Sequence, residues 1–289
     1  MVLYLVLRCL RDRFTRKVYS RKKNQVDAPS VANNLFRIKS YLSYWLEAVD
    51  EHSLHSPFFF DLYTTQIKPP VSRKQFSHIE GLRQKLLNDH RTVLVKDLGS
   101  GGKENALRKI SGIARTSLST PRYSAIFLRL INYFQSKFII ELGTSLGINT
   151  LYLAEKDDAA VTTFEGASGI ADIAELTFEF AGKKNINLIT GNIDKTFPDA
   201  LQEIRRVDFA FFDANHLFEP TLRYFELLLK RVHEKSILVL DDIHHSPEME
   251  SAWQVIKNHR LVYGSADLFR CGIVFFDPSL NKQHVILQV

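Results

Sequence analysis

Acidic residues stand at the ends of apolar runs of strand length in the second half of this 289-residue chain. The runs KFIIEL, AVTTFE, VDFAFFD and SILVLDD carry, at or next to their last position, Glu141, Glu165, Asp213 and the pair Asp241-Asp242. Parallel strands present their carboxyl ends at one edge of a sheet, where open α/β sheets bind ligands. Carboxylates at such an edge can accept hydrogen bonds from ribose hydroxyls, and three of them together can bind a hard cation such as Mg²⁺.

A glycine-containing loop follows the first of these acids. Residues 143–147, Gly-Thr-Ser-Leu-Gly, separate the run FIIEL from the helical stretch INTLYLAEK. Glycine lets a backbone come close to a ligand. Glu165 lies 24 residues after Glu141, near the spacing expected for an acid that holds a ribose. The loop therefore predicts a binding site for a nucleotide-like ligand.

A second strand-loop-helix pattern, VLVKDLGSGGKENALRKI at 93–110, competes for that role. The next strand-end acid, Glu141, lies 44 residues after Asp97, which is too far for one crossover helix. The string also fails as a phosphate loop, because Glu104 stands where Ser or Thr would bind magnesium. We interpret residues 97–103 as either a structural turn or a lid over the site.

Apolar runs alternate with amphipathic helices from about residue 120 onward. Five such units predict a mostly parallel sheet with helices on both faces, and the last runs, VYGSADLF and CGIVFFDP, predict a hairpin through Arg270. The predicted fold class is α/β: a Rossmann-like, seven-stranded, mostly parallel sheet with an antiparallel C-terminal edge strand. Residues 1–30 are predicted to form a basic, flexible segment, residues 31–119 a mainly helical extension or cap, and residues 120–289 the core.

The positive charge is concentrated at the N-terminus. Residues 1–24 hold eight basic residues and one acidic residue, a surplus of +7, so that residues 25–289 sum to −1 within a net charge of +6. A core without a basic surplus argues against a nucleic-acid partner. Two distant cysteines give neither a disulfide framework nor zinc spacing, and the apolar start MVLYLVLRCL is shorter than the roughly 20 residues of a membrane span. We expect a cytoplasmic protein without a transmembrane segment, and a homodimer is compatible with the sequence.

The segment 120–289 resembles the class I S-adenosylmethionine-dependent methyltransferases. The loop at 143–147 is similar to motif I of that superfamily, and it lacks the third glycine of a dinucleotide fingerprint. The passage PRYSAIFLRLINYFQSKFIIELGTSLG is most similar to the catechol and caffeoyl-CoA O-methyltransferase group, while HSPFFFDLY and DDIHHSPEMESAW resemble an uncharacterised bacterial branch. The resemblance implies a methyltransferase with S-adenosylmethionine as its cofactor.

The resemblance also implies which residues contact the cofactor. Glu165 would hold the ribose hydroxyls, and Asn192 would face the adenine at a position where the family usually has Asp, with Asp194 as a competing candidate. The complete implied set is Glu141, Gly143, Thr144, Ser145, Gly147, Glu165, Gly166, Gly191, Asn192 and Asp213.

A metal site and a catalytic group follow from the same resemblance. The catechol-type enzymes place a metal-binding Asp after the fourth strand and an Asp-Asn pair after the fifth, which Asp213, Asp241 and Asp242 match with Asp in place of Asn. A Mg²⁺ ion there would lower the pKa of an acceptor hydroxyl. The general-base lysine of that group has no match beside Asp213. The catalytic candidates are therefore Asp213, His216 and His244, with His245 as an alternative to them, or the acceptor arrives ionised.

The resemblance therefore implies O-methylation, and we expect a small-molecule acceptor, with assistance from a base or a divalent metal. Three alternatives stay open at this point. One is an NAD(P)-dependent oxidoreductase, which is disfavoured because the loop lacks the third glycine of the dinucleotide fingerprint. The others are a non-catalytic scaffold that uses its helical front for interactions, and a pathway enzyme that acts on a nucleotide-linked sugar.

Overall fold

The structure is a computed structural model that describes residues 31–72, 74–95 and 106–289. The basic segment 1–30 and the stretch 97–103 lie outside the described residues, so the predictions made for them stay predictions. Within the described ranges, no helix combines the length and the apolar character needed to cross a bilayer.

An eight-stranded sheet lies at the centre of the described part of the chain, in the order β10-β8-β9-β7-β6-β3-β4-β5. Its strands are β3 (Phe138–Leu142), β4 (Ala160–Glu165), β5 (Ile186–Thr190), β6 (Phe209–Phe212), β7 (Ile237–Asp241), β8 (Gly264–Asp267), β9 (Cys271–Phe275) and β10 (Gln283–Ile286). Two shorter strands, β1 (Thr92–Val95) and β2 (Ala106–Lys109), pair with each other as an antiparallel hairpin.

The predicted α/β class with a mostly parallel sheet is confirmed, and two details differ. Strands β3 to β7 are mutually parallel, whereas β9 runs antiparallel to both β7 and β8 and lies between them. The outer edge is instead β10, an eighth strand that pairs in parallel with β8. This strand, QHVI, is only four residues long and half-buried, so its sequence gives a weak strand signal.

The order of the strands creates a crevice beside β3. The chain passes from β3 outward to β4 and β5, and then returns to β6 on the other side of β3. The loops that follow β3 and β6 therefore diverge, and ligands of open α/β sheets bind at such a switch point. The central strands β6 and β7 are buried along their whole length, as expected for parallel strands covered on both faces.

Ten α-helices are present in the described residues, together with a 3₁₀ turn at Glu51–Ser53 and a π-helical turn at Tyr63–Ile67. They are α1 (Val31–Glu47), α2 (Pro57–Leu62), α3 (Ser77–Leu87), α4 (Ile110–Ser117), α5 (Pro121–Tyr133), α6 (Ile148–Leu153), α7 (Ser168–Ala181), α8 (Ile193–Glu203), α9 (Phe218–Leu228) and α10 (Pro247–Lys257). Proline begins α2, α5 and α10, where its missing N–H leaves no hydrogen bond unmade.

The front of the chain shares a hydrophobic core with the sheet. Phe59, Leu62 and Ile67, near α2, are fully buried in one cluster with residues of β3, β6, β7 and β9. The Phe59 and Phe275 rings lie 5.9 Å apart between their centroids, in an edge-to-face arrangement. The predicted boundary at residues 119 and 120 stays a prediction, and across it the core is continuous.

The β1-β2 hairpin packs beside the crevice, against α7. A Cβ on Gly169, near the start of α7, would lie 2.6 Å from the backbone oxygen of Leu94 in β1, so the glycine permits this close approach. The predicted helical extension thus also contains two strands. Their placement brings Val95 and Arg108 to the wall of the cavity described next.

Candidate functional site

The loop after β3 approaches the end of β6 so closely that residue 143 has no room for a side chain. Gly143 has a φ of 97°, and a Cβ there would lie 2.2 Å from the backbone oxygen of Asp213. Gly147, at the other end of the loop, has a φ of 82° and faces the ring of Phe178. Both glycines are therefore required by the backbone, and only Gly143 of the two lines the cavity.

Glu141 lies beneath this loop and does not reach the cavity. Its carboxylate is fully buried and accepts hydrogen bonds from Asn149 at 2.9 Å, from Thr163 at 2.7 Å and from Thr150. Burial raises the pKa of Glu141 to about 7, although these three donors oppose the rise. The expectation that Glu141 lines the cofactor site is corrected, since its oxygens face the interior and fasten β3 to α6 and β4.

Thr144, Gly147 and Gly191 also lie off the cavity wall. Thr144 is buried with its hydroxyl 2.6 Å from that of Thr163. Gly191 has a φ of 141°, which lets the chain turn between β5 and α8. These three residues shape the loops that surround the cavity.

Glu165 ends β4 and faces the cavity. Its carboxylate accepts hydrogen bonds from the backbone N–H of Ser145 and from that of Ala167, each at 2.9 Å. Burial raises the pKa of Glu165, while the N–H groups of Ala167 and Ser145 lower it. The two N–H groups fix the carboxylate in orientation, and each of its oxygens keeps lone pairs for further donors.

Asn192 is the residue of the loop after β5 that lines the cavity. Its side-chain oxygen also accepts a hydrogen bond from the backbone N–H of Asp194, which caps the start of α8. Asp194 itself is bound by the Tyr224 hydroxyl at 2.6 Å and by Arg223. Of the two candidates for the adenine edge, the structure thus brings Asn192 to the cavity and pairs Asp194 elsewhere.

The loop after β6 supplies the other end of the cavity in an unusual backbone conformation. Asn215 has a φ of 64° and His216 a φ of 44°, and Asp242, after β7, has a φ of 54°. Ser145, in the loop after β3, has a φ of 50°. Non-glycine residues in this region are strained and concentrate at functional sites. All four line the cavity.

His216 and Asp213 form an ion pair at this end. Nε2 of His216 lies 3.3 Å from a carboxylate oxygen of Asp213. Burial lowers the pKa of His216, but Asp213, together with the charges of Asp242 and Asp241, outweighs this and raises the pKa to about 9. The imidazole is therefore mainly protonated at neutral pH.

Asp241 is held by an arginine that no sequence motif had singled out for the site. Arg270, in the turn between β8 and β9, donates from Nε to Oδ1 of Asp241 at 3.1 Å and from Nη2 to Oδ2 at 2.9 Å. Burial and the charge of Asp213 raise the pKa of Asp241 above its usual value, although the charge and the two-pronged hydrogen bonds of Arg270 oppose the rise.

This pairing corrects the expected metal site at Asp213, Asp241 and Asp242. Both oxygens of Asp241 are already engaged by a cation, and the side chain is 1% exposed. In the part of the chain that the structure describes, no group of three potential ligands is arranged to hold a metal ion. The donor set therefore does not fit Mg²⁺ in the arrangement that the resemblance implied.

His244 is turned away from the cavity. One ring nitrogen lies 2.8 Å from Asp267 and the other 3.3 Å from Glu250, and the ring stacks on Phe269 with centroids 5.4 Å apart. Glu250 in turn accepts a hydrogen bond from Ser40 of α1 at 3.0 Å. This placement corrects the catalytic expectation for His244, which joins α1, α10 and the β8-β9 turn.

One cavity of about 380 Å³ connects the end of the site at Glu165 with the end at Asp213 and Arg270. From the predicted set it is lined by Gly143, Ser145, Glu165, Gly166, Asn192, Asp213, His216, Asp241 and Asp242. Sequence reasoning missed Val95, Arg108, Thr116, Ser117, Asn215 and Arg270, which also line it. The Ser117 hydroxyl lies 2.8 Å from that of Ser145, so α4 touches the loop after β3. Asn215 lies between the predicted residues Asp213 and His216 in the loop after β6. Folding brings the other five residues to the cavity from β1, β2, α4 and the β8-β9 turn, and no local pattern assigns them to the site.

Comparison with known proteins shows that part of the chain, including much of the cavity wall, is similar to a methyltransferase domain. The family model described as a methyltransferase domain matches residues 140–243. A protein-L-isoaspartate O-methyltransferase from Pyrococcus horikoshii is 31% identical over 85 residues, which are 29% of this chain and 39% of that protein. The chain thus spans about two fifths of the length of this relative.

Solved structures of methyltransferases share the fold. The O-methyltransferase from Bacillus cereus in complex with S-adenosylhomocysteine superposes with a TM-score of 0.53 at 19% identity, covering 74% of this chain and 94% of that one. An S-adenosylhomocysteine-bound methyltransferase from Podospora anserina gives 0.53 at 12% identity, covering 88% and 100%. A Staphylococcus aureus protein provisionally named a caffeoyl-CoA O-methyltransferase gives 0.51 at 14% identity, covering 76% and 97%. At these identities the likeness concerns the fold.

Proposed function

We propose that this chain, a methyltransferase by its domain and fold, transfers the methyl group of S-adenosylmethionine to an oxygen atom of a small molecule. The observation that carries the proposal is the continuous cavity. Glu165 lies at its β4 end, and Asp213, His216 and Arg270 lie at its β6 and β7 end. Three strand steps separate β4 from β7, a span of roughly 14 Å at about 4.8 Å a step. A nucleoside and an acceptor can therefore lie end to end.

The β4 half has the groups that a nucleoside needs. The Glu165 carboxylate, fixed by two backbone N–H groups, is the acceptor for the ribose hydroxyls. Gly143 has no side chain, so the ligand can pass close to the backbone between the ends of β3 and β6. Asn192 offers its side-chain amide to the adenine edge. S-adenosylmethionine supplies the methyl group that the acceptor oxygen displaces in line, and the protein contributes mainly proximity and alignment.

The β6 and β7 half handles the proton of the acceptor. The acceptor hydroxyl must lose its proton when its oxygen takes the methyl group, so a base is needed. The carboxylate of Asp213, 3.3 Å from Nε2 of His216, is available in this part of the cavity. With a pKa of about 9, His216 is mainly an acid at neutral pH and becomes a base as the pH rises. We assign the Asp213 carboxylate the task of taking the proton at neutral pH, while the protonated His216 stabilises the ionised acceptor oxygen.

The size of the cavity and the name of a relative support the proposed acceptor class. A volume of about 380 Å³ lies at the lower end of the range of small-molecule pockets, which supports a small acceptor. The name of the Pyrococcus horikoshii relative specifies an oxygen acceptor, which supports O-methylation here. The cytoplasmic location and a homodimer remain predictions.

Calorimetric titration with S-adenosylhomocysteine tests the cofactor half. Wild type should bind, and Glu165→Gln and Glu165→Ala should bind more weakly by roughly 1.5–3 kcal/mol, because a charged hydrogen-bond acceptor is lost. Glu175→Ala is the matched control, since this glutamate lies exposed on α7. Equal affinity of wild type and both Glu165 variants would contradict the assignment, and no binding to wild type would favour a non-catalytic scaffold.

The acceptor half is tested by label transfer. Incubation with methyl-labelled S-adenosylmethionine and a fractionated cell extract should place label in the small-molecule fraction and release it under conditions that cleave O-methyl groups. Label in the protein fraction would instead assign a protein acceptor. Wild type and Asp213→Asn should be compared, and the variant should lose most of the label transfer while it keeps affinity for S-adenosylhomocysteine.

A further inference from the structure

We propose that the guanidinium of Arg270 is the resident cation of the acceptor end, and that it occupies the place among Asp213, Asp241 and Asp242 that a divalent metal would otherwise take. The acceptor then meets a fixed organic cation, so that methyl transfer needs no metal. The statement that methyl transfer needs no metal rests on the proposed function. The position of Arg270 among the three carboxylates concerns the folded protein alone.

The contact with Asp241 is the first support. Nε and Nη2 of Arg270 each meet a different oxygen of Asp241, at 3.1 Å and 2.9 Å. A planar guanidinium matches a carboxylate in this two-pronged way, which combines charge with fixed direction. A metal ion bound by Asp241 would have to displace at least one of these contacts inside a buried environment.

The position of the guanidinium is fixed from other sides as well. The Tyr123 ring of α5 lies 5.5 Å from the guanidinium carbon, within the range of a cation-π contact. Nη2 also donates to the Ser119 hydroxyl at 3.3 Å. The turn that carries Arg270 is tight, with Phe269 at a φ of 64° and the Arg270 N–H bonded to the Leu268 oxygen at 2.8 Å. The arginine is thus built into the wall of the cavity.

The charges around the arginine extend this support to the other two carboxylates. Asp213 and Asp242 lie near enough to act on the Arg270 charge, and all four residues line the same cavity. Without Arg270, only His216 beside Asp213 would offset the repulsion among the three carboxylates, and a hard cation would gain oxygen ligands there. Arg270 removes this driving force.

The chemistry of an arginine narrows the acceptor. A metal ion of the Mg²⁺ type can hold two neighbouring oxygens of a diol at once. A guanidinium pairs with a single oxyanion or with a carboxylate. The favoured acceptor therefore presents one ionisable oxygen, as in a phenol or a carboxylic acid, and a vicinal diol is not required.

Titration with Mn²⁺ followed by electron paramagnetic resonance tests the inference without any acceptor. Free Mn²⁺ gives a sharp signal that binding removes. The signal should be unchanged by wild type, whereas Arg270→Met should bind one Mn²⁺ per chain with a Kd on the order of 10⁻⁴–10⁻³ M, as in weak carboxylate sites. Arg206→Met is the matched control, because Arg206 pairs with Asp208 and does not line the cavity.

The double variant Arg270→Met/Asp241→Asn should lose the Mn²⁺ affinity that Arg270→Met gains, which assigns the new site to this cluster. Binding of one Mn²⁺ by wild type that Asp241→Asn abolishes would overturn the inference, and this comparison does not depend on an arginine variant. A folded Arg270→Met that binds no more Mn²⁺ than Arg206→Met would also overturn it. Arg270→Gln replaces Arg270→Met if the latter fails to fold. Titration of the same samples with S-adenosylhomocysteine reports separately on the proposed function.

Discussion

The backbone oxygen of Asp213 occupies the space into which a β-carbon on Gly143 would point, at a distance of 2.2 Å. The loop after β3 and the loop after β6, to which we assign the cofactor and the acceptor, are therefore in backbone contact. Gly143 also has a φ of 97°, a conformation that costs other residues roughly 1–2 kcal/mol. One glycine thus sets the distance between the two halves of the site.

Gly143→Ala should be far more harmful than an alanine at another left-handed glycine. Gly182, with a φ of 66° and nothing within 4 Å of an added Cβ, is the matched control. Gly182→Ala should reduce the free energy of unfolding by about 1–2 kcal/mol and leave affinity for S-adenosylhomocysteine unchanged. Gly143→Ala should cost a further 1–3 kcal/mol or so from overpacking and abolish binding. Urea unfolding measures the free energy of unfolding, and calorimetry measures the affinity for S-adenosylhomocysteine. Equal effects of the two variants would contradict the inference that the Asp213 oxygen leaves no room for a side chain at residue 143.

His216 should titrate near pH 9, and Asp213→Asn should lower its pKa, because Asp213 is the largest influence that raises it. A pKa raised above its usual value of about 6.5 adds stability that is complete below that value and is lost as the pH rises through 9. The imidazole is 34% exposed, so we expect only about 1 kcal/mol. Nuclear magnetic resonance titration of the imidazole tests this prediction. A pKa near 6.5 in wild type would contradict it.

Glu141 should make the protein more stable in mild acid than at neutral pH. Its pKa of about 7 is raised above the usual value of 4.5, so the unfolded chain loses the proton first as the pH rises. The contribution is therefore complete below pH 4.5 and is lost as the pH approaches 7, by an amount on the order of 1–3 kcal/mol. Glu141→Gln, which cannot ionise, should lack this slope. Urea unfolding of wild type and Glu141→Gln between pH 4.5 and pH 7 tests this. The same dependence of the free energy of unfolding on pH in both proteins would contradict the prediction.

His244→Ala should weaken the fold and spare the cavity. The substitution leaves Asp267 and Glu250 without their shared partner, at a cost of about 1–3 kcal/mol. Affinity for S-adenosylhomocysteine should stay unchanged, because the imidazole faces away from the cavity. The exposed His90 provides the control variant, His90→Ala. Loss of cofactor affinity without loss of stability would return His244 to the site.

The architecture could be predicted from the sequence more completely than the residues of the site. Alternation of apolar runs with amphipathic helices predicted the parallel strands and the antiparallel pairing of β8 with β9. It missed β10, because four half-buried residues carry little periodicity. It also treated Glu141 and Glu165 alike as strand-end acids, although the structure buries one in a hydrogen-bond network and turns the other to the cavity.

The residues themselves determined what repeats locally: the β-α order, the glycines that allow left-handed turns, and the carboxylates that follow the strands. These features depend on neighbouring residues, so they can be read along the chain. The direction of each side chain and its long-range partners were decided only by the tertiary structure. Arg270 reaches Asp241 from 29 residues away, and Ser117 reaches Ser145 from 28. Such pairings arise because burial and charge neutralisation are satisfied only once the sheet and its helices have closed around the cavity.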